Sequence, residues 1–211
     1  PTQRSEHEFQ ALVTSAARVA AADMKQAIET LMGTNAAVWM QAVRLTAAET
    51  MDELSASWDE PARPFARGFL IPRKATAQVL RRATGGAKLI LVEGAPLAGK
   101  SNVLREVSLR TTQLDNIATL YVEAGVAGGI LQSLADALAR SLAWPVTREE
   151  ARNWLMRLSQ SSDHSLLLAV DGLDASDNDT RREIKDLSST TFGPGLVVIV
   201  AVDDAVAGKL M

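Results

Sequence analysis

Residues Gly94, Ala95, Pro96, Leu97, Ala98, Gly99, Lys100 and Ser101 match G-x-x-x-x-G-K-[ST] in full. Their types and spacing suit the binding of a polyphosphate. Gly94 and Gly99 permit backbone geometry that a side chain would obstruct. Successive N–H groups, running on through Asn102 into a helix start, would form an anion nest at a helix N-terminus. Lys100 would reach the β- and γ-phosphates, and the Ser101 hydroxyl would ligate Mg²⁺. Context separates such a loop from a chance glycine turn. The apolar run at 88–93 reads as a buried strand before it, and residues from Ser101 to Val107 read as a helix start after it.

A second constellation lies at Asp171-Gly172-Leu173-Asp174, at the end of the apolar run 165–170. A carboxylate at the end of a buried strand beside a phosphate loop can hold Mg²⁺, often through water, so Asp171 joins Ser101 as an expected metal ligand. Asp174 either polarises an attacking water, completes the metal's outer shell, or caps the next helix. Together with Lys100 it is the expected catalytic residue. Asp177 and Asp179 read as cap and solvated-face residues. A calcium loop counted from Asp174 fails, with Asp179 where glycine is needed and Lys185 where glutamate is needed.

The elements that must position these groups follow from periodicity. Strands are expected at 88–93, 117–123, 165–170 and 196–202, and helices at 73–84, 99–111, 127–143, 147–160 and 178–189. This alternation predicts an α/β domain with a mainly parallel sheet. Ahead of it, apolar spacing of three and four predicts helices at 6–32 and 36–58, broken at 33–35, as an antiparallel hairpin. Ser5 and Glu8 have capping-box spacing. The proline-containing stretch 59–64 is the expected boundary between a helical segment, 1–60, and the nucleotide-binding domain, 61–211. Residues 1–58 are either a packing appendage or an effector or adaptor element. Phe69-Leu70-Ile71 reads as a short extended piece before Pro72.

Together these motifs resemble the P-loop NTPases of the additional-strand class, which includes the AAA+ and STAND groups. The acidic motif is similar to the D-G-x-D of NACHT-type STAND ATPases. The segment Phe69-Leu70-Ile71-Pro72-Arg73 resembles the element before the phosphate loop in STAND proteins, so the resemblance implies that Phe69 and Ile71 contact adenine. It covers about 69–204. It implies a three-layer domain with strand order 5-1-4-3-2, in which strand 196–202 lies between the phosphate-loop and Asp171 strands. It implies a switch in which ATP·Mg²⁺ favours an open, oligomerising state and ADP a closed one, with self-association and an N-terminal effector. Members usually end strand 196–202 in a polar sensor, often Arg, facing the γ-phosphate. Here Asp203 and Asp204 follow the strand, and repulsion from phosphate predicts that they point elsewhere. The fifth strand, helical lid and winged helix of a complete member are expected to lie beyond residue 211.

The 211 residues are 47% apolar and 22% charged, an ordinary globular balance that excludes a wholly disordered chain. There is no cysteine, hence no disulfide framework, thiolate metal site or thiol nucleophile. A net charge of −3 does not indicate nucleic acid as a partner. No apolar run reaches ~18 residues and no secretory pattern is present, so a cytoplasmic location without a spanning helix is expected. No N-K-x-D guanine-reading motif occurs. His7 and His164 read as surface and turn residues. Trp39 and Trp58 read as core contacts of the second helix, and Trp144 and Trp154 as packing between helices. Arg63, Arg67, Arg73, Arg81 and Arg82 form a basic run, either a solvated face or a phosphate contact. Arg181 and Arg182 sit where a neighbouring subunit's nucleotide would be approached in a ring. The rival functions are an AAA+-like ATPase acting on nucleic acid or protein, and a scaffold that keeps nucleotide without turnover.

Overall fold

The computed structural model describes residues 14–15, 18–27, 36–60, 63–125, 128–174 and 176–210. His7, the Ser5–Glu8 cap and the break at 33–35 lie outside the described residues. Four strands form the main sheet: β3 (Leu89–Glu93), β4 (Ile117–Glu123), β5 (Ser165–Asp171) and β6 (Leu196–Val202). All three pairings are parallel, in the order β3-β6-β5-β4. Residues 196–202 therefore do lie between the phosphate-loop strand and the Asp171 strand. Strands buried on both faces need near-continuous apolar sequence, and β6, Leu-Val-Val-Ile-Val-Ala-Val, is buried throughout.

Alternate residues of each strand feed two cores, because successive side chains point to opposite faces. Leu120, Val122, Leu166, Leu168, Val198 and Val200 join one core. It is closed by α1 (Ala36–Glu53), α4 (Gly129–Leu142), α5 (Arg148–Ser159), α6 (Asn178–Leu187) and α7 (Asp204–Leu210). Tyr121, Leu167, Ala169, Val197 and Ile199 join the other core, closed by α2 (Lys74–Thr84) and α3 (Lys100–Thr111). The result is a three-layer α/β domain around a parallel sheet. Helix α5 begins with a complete capping box, Thr147 and Glu150 satisfying each other's backbone N–H groups.

The region before the phosphate loop differs from the sequence expectation. The second helix ends at Glu53 rather than at 58. Ser55–Ala56 (β1) then pairs in parallel with Phe65–Ala66 (β2), so chain on either side of the 59–64 stretch is joined by a ladder. Trp58 lies in the intervening turn and is 87% exposed, not a helix contact. Helix α1 itself packs on β4, the terminal strand of the sheet. Trp39, Met40 and Val43 are buried in one core and Met51 in the other. Arg44 donates to the carbonyls of Leu114 and Asp115, and Thr46 to that of Ala137. Part of the segment 1–60 thus packs into the α/β core. Of the first helix, residues 18–27 are helical and exposed, with Lys25 paired to Glu150 at 3.0 Å. Trp154 is buried and Trp144 half-buried.

Candidate functional site

The phosphate loop joins β3 to α3. Gly99, the N-cap of α3, has φ +87°, in the left-handed region that favours glycine. A Cβ there would also meet the end of the Arg73 guanidinium at 2.9 Å, a contact that this flexible side chain can relieve by shifting, so the left-handed φ is what calls for glycine. Leu97 takes φ +63° at the loop tip and is fully exposed, while Ala95, Pro96 and Ala98 are exposed and Gly94, Ser101 and Asn102 half-buried. Lys100 begins α3 and folds back over the loop. Its ammonium donates to Gly94 O (2.8 Å), Ala95 O (2.9 Å) and Asp203 Oδ1 (2.6 Å).

That last contact corrects the expectation that Asp203 points away. The expectation weighed only the repulsion from phosphate. The Lys100 ammonium is a nearer, opposite charge, and Asp203 directly follows β6, the neighbour of β3. Asp204 does face out, exposed in the first turn of α7.

Asp171 ends β5, half-buried. One of its oxygens accepts the Gly172 N–H at 3.0 Å, and the other accepts the Tyr121 hydroxyl in a short bond. Burial, and then the Asp171 charge, push the Tyr121 hydroxyl well above the usual tyrosine range, so it stays a donor that orients Asp171. Glu123 pairs in register with Asp171, and Glu93 with Val202. The C-terminal ends of the strands thus carry Glu93, Glu123 and Asp171, with Asp203 just beyond β6, and of these Asp203 is paired with the Lys100 ammonium.

Asp174 is exposed on the loop after β5. Its Oδ1 accepts the Ser176 N–H at 2.7 Å and the Ser176 hydroxyl at 2.5 Å. It lines a cleft of about 1130 Å³ bounded by Gly128 and Gly129, Arg148 and Arg152 of α5, and Asp179 and Glu183 of α6. None of the phosphate-loop residues lines that cleft. Asp177 caps α6 through the Thr180 N–H, and Asp179 is exposed beside Arg182 at 3.4 Å, both as expected.

The segment before the loop is held by α3. Arg105 donates to Phe69 O (2.9 Å) and Ala66 O (3.0 Å), with its guanidinium 4.9 Å from the Phe65 ring centroid. Glu106, 1% exposed, accepts Arg73 N–H (2.9 Å), the Thr76 hydroxyl (2.6 Å) and Arg110 (2.6 Å). Burial alone would raise its carboxyl, but these donors outweigh burial and hold it below the usual range. Phe69 and Ile71 consequently sit in a fixed irregular stretch, 62% and 42% exposed.

Of the basic run, Arg63, Arg67, Arg81 and Arg82 are exposed, and Arg67 pairs with Asp52 at 2.8 Å. Arg73 alone reaches the loop, and its buried Nε has no partner among the described residues. Sequence reasoning missed Tyr121, Arg105 and Glu106. The last two carried a signal, adjacent opposite charges inside an otherwise apolar helix stretch. Tyr121 carried none.

The residues present fit a nucleotide with Mg²⁺. Gly94 and Gly99 keep the cradle clear, since a Cβ at Gly94 would approach that of Ala98 to 3.3 Å. The Ser101 hydroxyl and Asp171 carboxylate are hard oxygen donors. Among the described residues no three His, Asp or Glu side chains form a self-sufficient metal cage. Mg²⁺ is usually held by one or two protein oxygens plus phosphates, so such a cage is not required.

No family model matches this chain, and no curated protein matches it in sequence. Among solved structures it is similar to Cdc6p from Pyrobaculum aerophilum, at 17% identity and a TM-score of 0.49, covering 68% of this chain and 43% of that one. It is also similar to a chain of the Drosophila ORC bound to AT-rich DNA and Cdc6, at 15% identity, a TM-score of 0.47, and 65% and 48% coverage. For C. elegans PCH-2 the identity is 10%, the TM-score 0.38, and the coverage 66% and 42%. This chain spans less than half the length of each of those three. No described helix is long and apolar enough to cross a membrane.

Proposed function

We propose that this chain is an ATP-binding switch of the STAND type. The observation that carries the reading is the join of β3 to α3, with Lys100 folded over the glycine loop and Asp171 at the end of β5. Gly94 to Asn102 would hold the phosphates, Phe69 and Ile71 the adenine, and Ser101 with Asp171 a Mg²⁺ ion that neutralises phosphate charge. Lys100 would stabilise charge developing on the phosphoryl oxygens, and Asp174 would orient the attacking water in a slow in-line hydrolysis. ATP would favour the self-associating state and ADP the closed one. Because α1 buries Trp39, Met40 and Val43 in the sheet core, an effector role within 1–58 would fall to residues ahead of Ala36.

Calorimetry with ATP·Mg²⁺ on the wild type and on Lys100→Ala tests this. The variant should lose most of its affinity while staying folded, since its ammonium contacts loop carbonyls and Asp203 rather than the core. Unchanged ATP affinity in the variant would remove the phosphate-loop assignment.

A second reading, a scaffold that keeps nucleotide without turnover, draws support from Asp174, whose Oδ1 is engaged with Ser176. Nucleotide retained on the purified protein and followed over hours by chromatography separates the two. Conversion to ADP favours the switch, and unchanged ATP favours the scaffold. Turnover stimulated by nucleic acid or protein would favour the AAA+-like rival.

A further inference from the structure

The Lys100 ammonium has three N–H donors. They are directed at Gly94 O, Ala95 O and Asp203 Oδ1, all within 2.9 Å, so none is left for a phosphate. Its side chain is only 14% exposed, while that of Asp203 is 50% exposed. The Asp203 carboxylate is the one anionic acceptor of the three.

Backbone fixes where that carboxylate stands. Val202, the residue before it, is in register with Glu93, the last residue of β3. The Asp203 carbonyl accepts the N–H groups of Val206 (2.8 Å) and Ala207 (3.2 Å), which opens α7. Val206, Ala207 and Leu210 are each 3% exposed in the sheet core. Asp203 is therefore clamped between a fully buried strand and a docked helix, beside the first turn of α3. It cannot leave without disturbing both, although its side chain can turn outward into solvent.

We infer that Asp203 is a specificity-determining residue that, by pairing with Lys100, disfavours nucleoside triphosphate over diphosphate. The inference rests on the nucleotide-binding reading above. A ligand phosphate that takes Lys100 must displace the carboxylate, which then faces the phosphate with its own charge uncompensated. Lys100 reaches the β- and γ-phosphates, so the cost grows with the terminal phosphate and its added negative charge. Two like charges 4 Å apart, even at the dielectric of bulk water, change an equilibrium constant about fivefold, and more where solvent is partly excluded. Glu93, exposed at the end of β3, adds to the same negative field.

The test is calorimetry on the full chain with ATP·Mg²⁺ and ADP·Mg²⁺, for the wild type, Asp203→Asn, Asp203→Ala and Lys100→Ala. Both Asp203 variants should tighten ATP by at least about fivefold and ADP by less, so that the ratio of ATP to ADP affinity rises. Neither removes the backbone acceptor that opens α7, and thermal unfolding checks that each is folded. Two substitutions guard against misfolding of one. An unchanged ratio, or weaker ATP binding in both variants, overturns the inference. Weaker ATP binding would mean that the carboxylate assists the nucleotide. Should the wild type bind neither nucleotide, the nucleotide reading falls and this inference with it. Should the wild type bind in a Lys100-dependent manner while the ratio stays fixed, only the inference falls.

Discussion

Trp39 is where the packing of α1 can be weighed. It is 1% exposed, sits in the core shared with β4, β5 and β6, and its indole Nε1 has no partner among the described residues. Truncating a buried Trp to Ala costs about 3–5 kcal/mol. An unpartnered buried donor costs about 1–3 kcal/mol, and that penalty disappears with the ring, which draws the expected loss toward the lower end, about 3 kcal/mol. For a chain of this size each kcal/mol moves the melting temperature by about 2–4 °C, so Trp39→Ala should melt about 6–12 °C lower. Trp39→Phe keeps most of the apolar area and removes the orphaned N–H, so it should stay within about 1.5 kcal/mol of the wild type. Scanning calorimetry reads both, with and without ATP·Mg²⁺. A melting temperature unchanged by Trp39→Ala would mean that α1 is a separate helical segment. Equal losses in the two variants would refute the orphaned-donor argument. By the same reasoning, deletion through Glu60 should leave 61–211 prone to aggregate, because β4 is the terminal strand and α1 contributes to both cores beside it.

Asp171→Asn should weaken Mg²⁺-dependent nucleotide binding, seen in titrations with and without the metal, while Asp174→Asn should leave binding nearly intact and slow hydrolysis by about 10²–10⁴-fold if Asp174 is a general base. Equal turnover in the wild type and Asp174→Asn removes Asp174 from the chemistry. Glu106 has a carboxyl held below its ordinary value of 4.5, so it contributes stability that is present above that value and lost as pH falls through the lower, folded one. Glu106→Gln should therefore cost about 1–3 kcal/mol at neutral pH and flatten the acid side of a stability–pH curve below about 4.5. A curve parallel to the wild type would mean that the carboxyl titrates alike in folded and unfolded chains.

The sheet was legible because fully buried parallel strands leave near-continuous apolar runs, and 117–123 and 196–202 coincide with β4 and β6. The strand–loop–helix join at 94–101 was legible for another reason: a glycine marks backbone geometry, such as the φ of +87° at Gly99, that local sequence must supply. The short strands β1 and β2 were not legible. Two residues are too few for any period, and their pairing depends on Phe65 entering a core formed by distant elements. Nor does periodicity distinguish a helix that pairs with a neighbour from one that packs on a sheet. Val38, Trp39, Ala42 and Val43 fit both readings equally well, and only the third dimension gives that stripe to β4 and α4.

The site's electrostatics were the least legible part, and Asp203 explains why. Two residues 103 positions apart in sequence carry no mutual signal. Reasoning from charge against an anticipated ligand gave the wrong orientation, because a side chain settles against the charges present in its own chain. The same holds at the other strand end. Tyr121 alternates correctly for a core position, yet its hydroxyl reaches the end of the strand and donates to Asp171. Burial keeps that hydroxyl protonated, so an apolar-patterned residue doubles as the group that aims a carboxylate. At the strand ends, then, Asp171 and Asp203 each have a donor from their own chain, the Tyr121 hydroxyl and the Lys100 ammonium respectively. Of the two, only the Lys100 ammonium carries a charge that an incoming phosphate would compete for, so the contest between ligand and protein is concentrated at that pair.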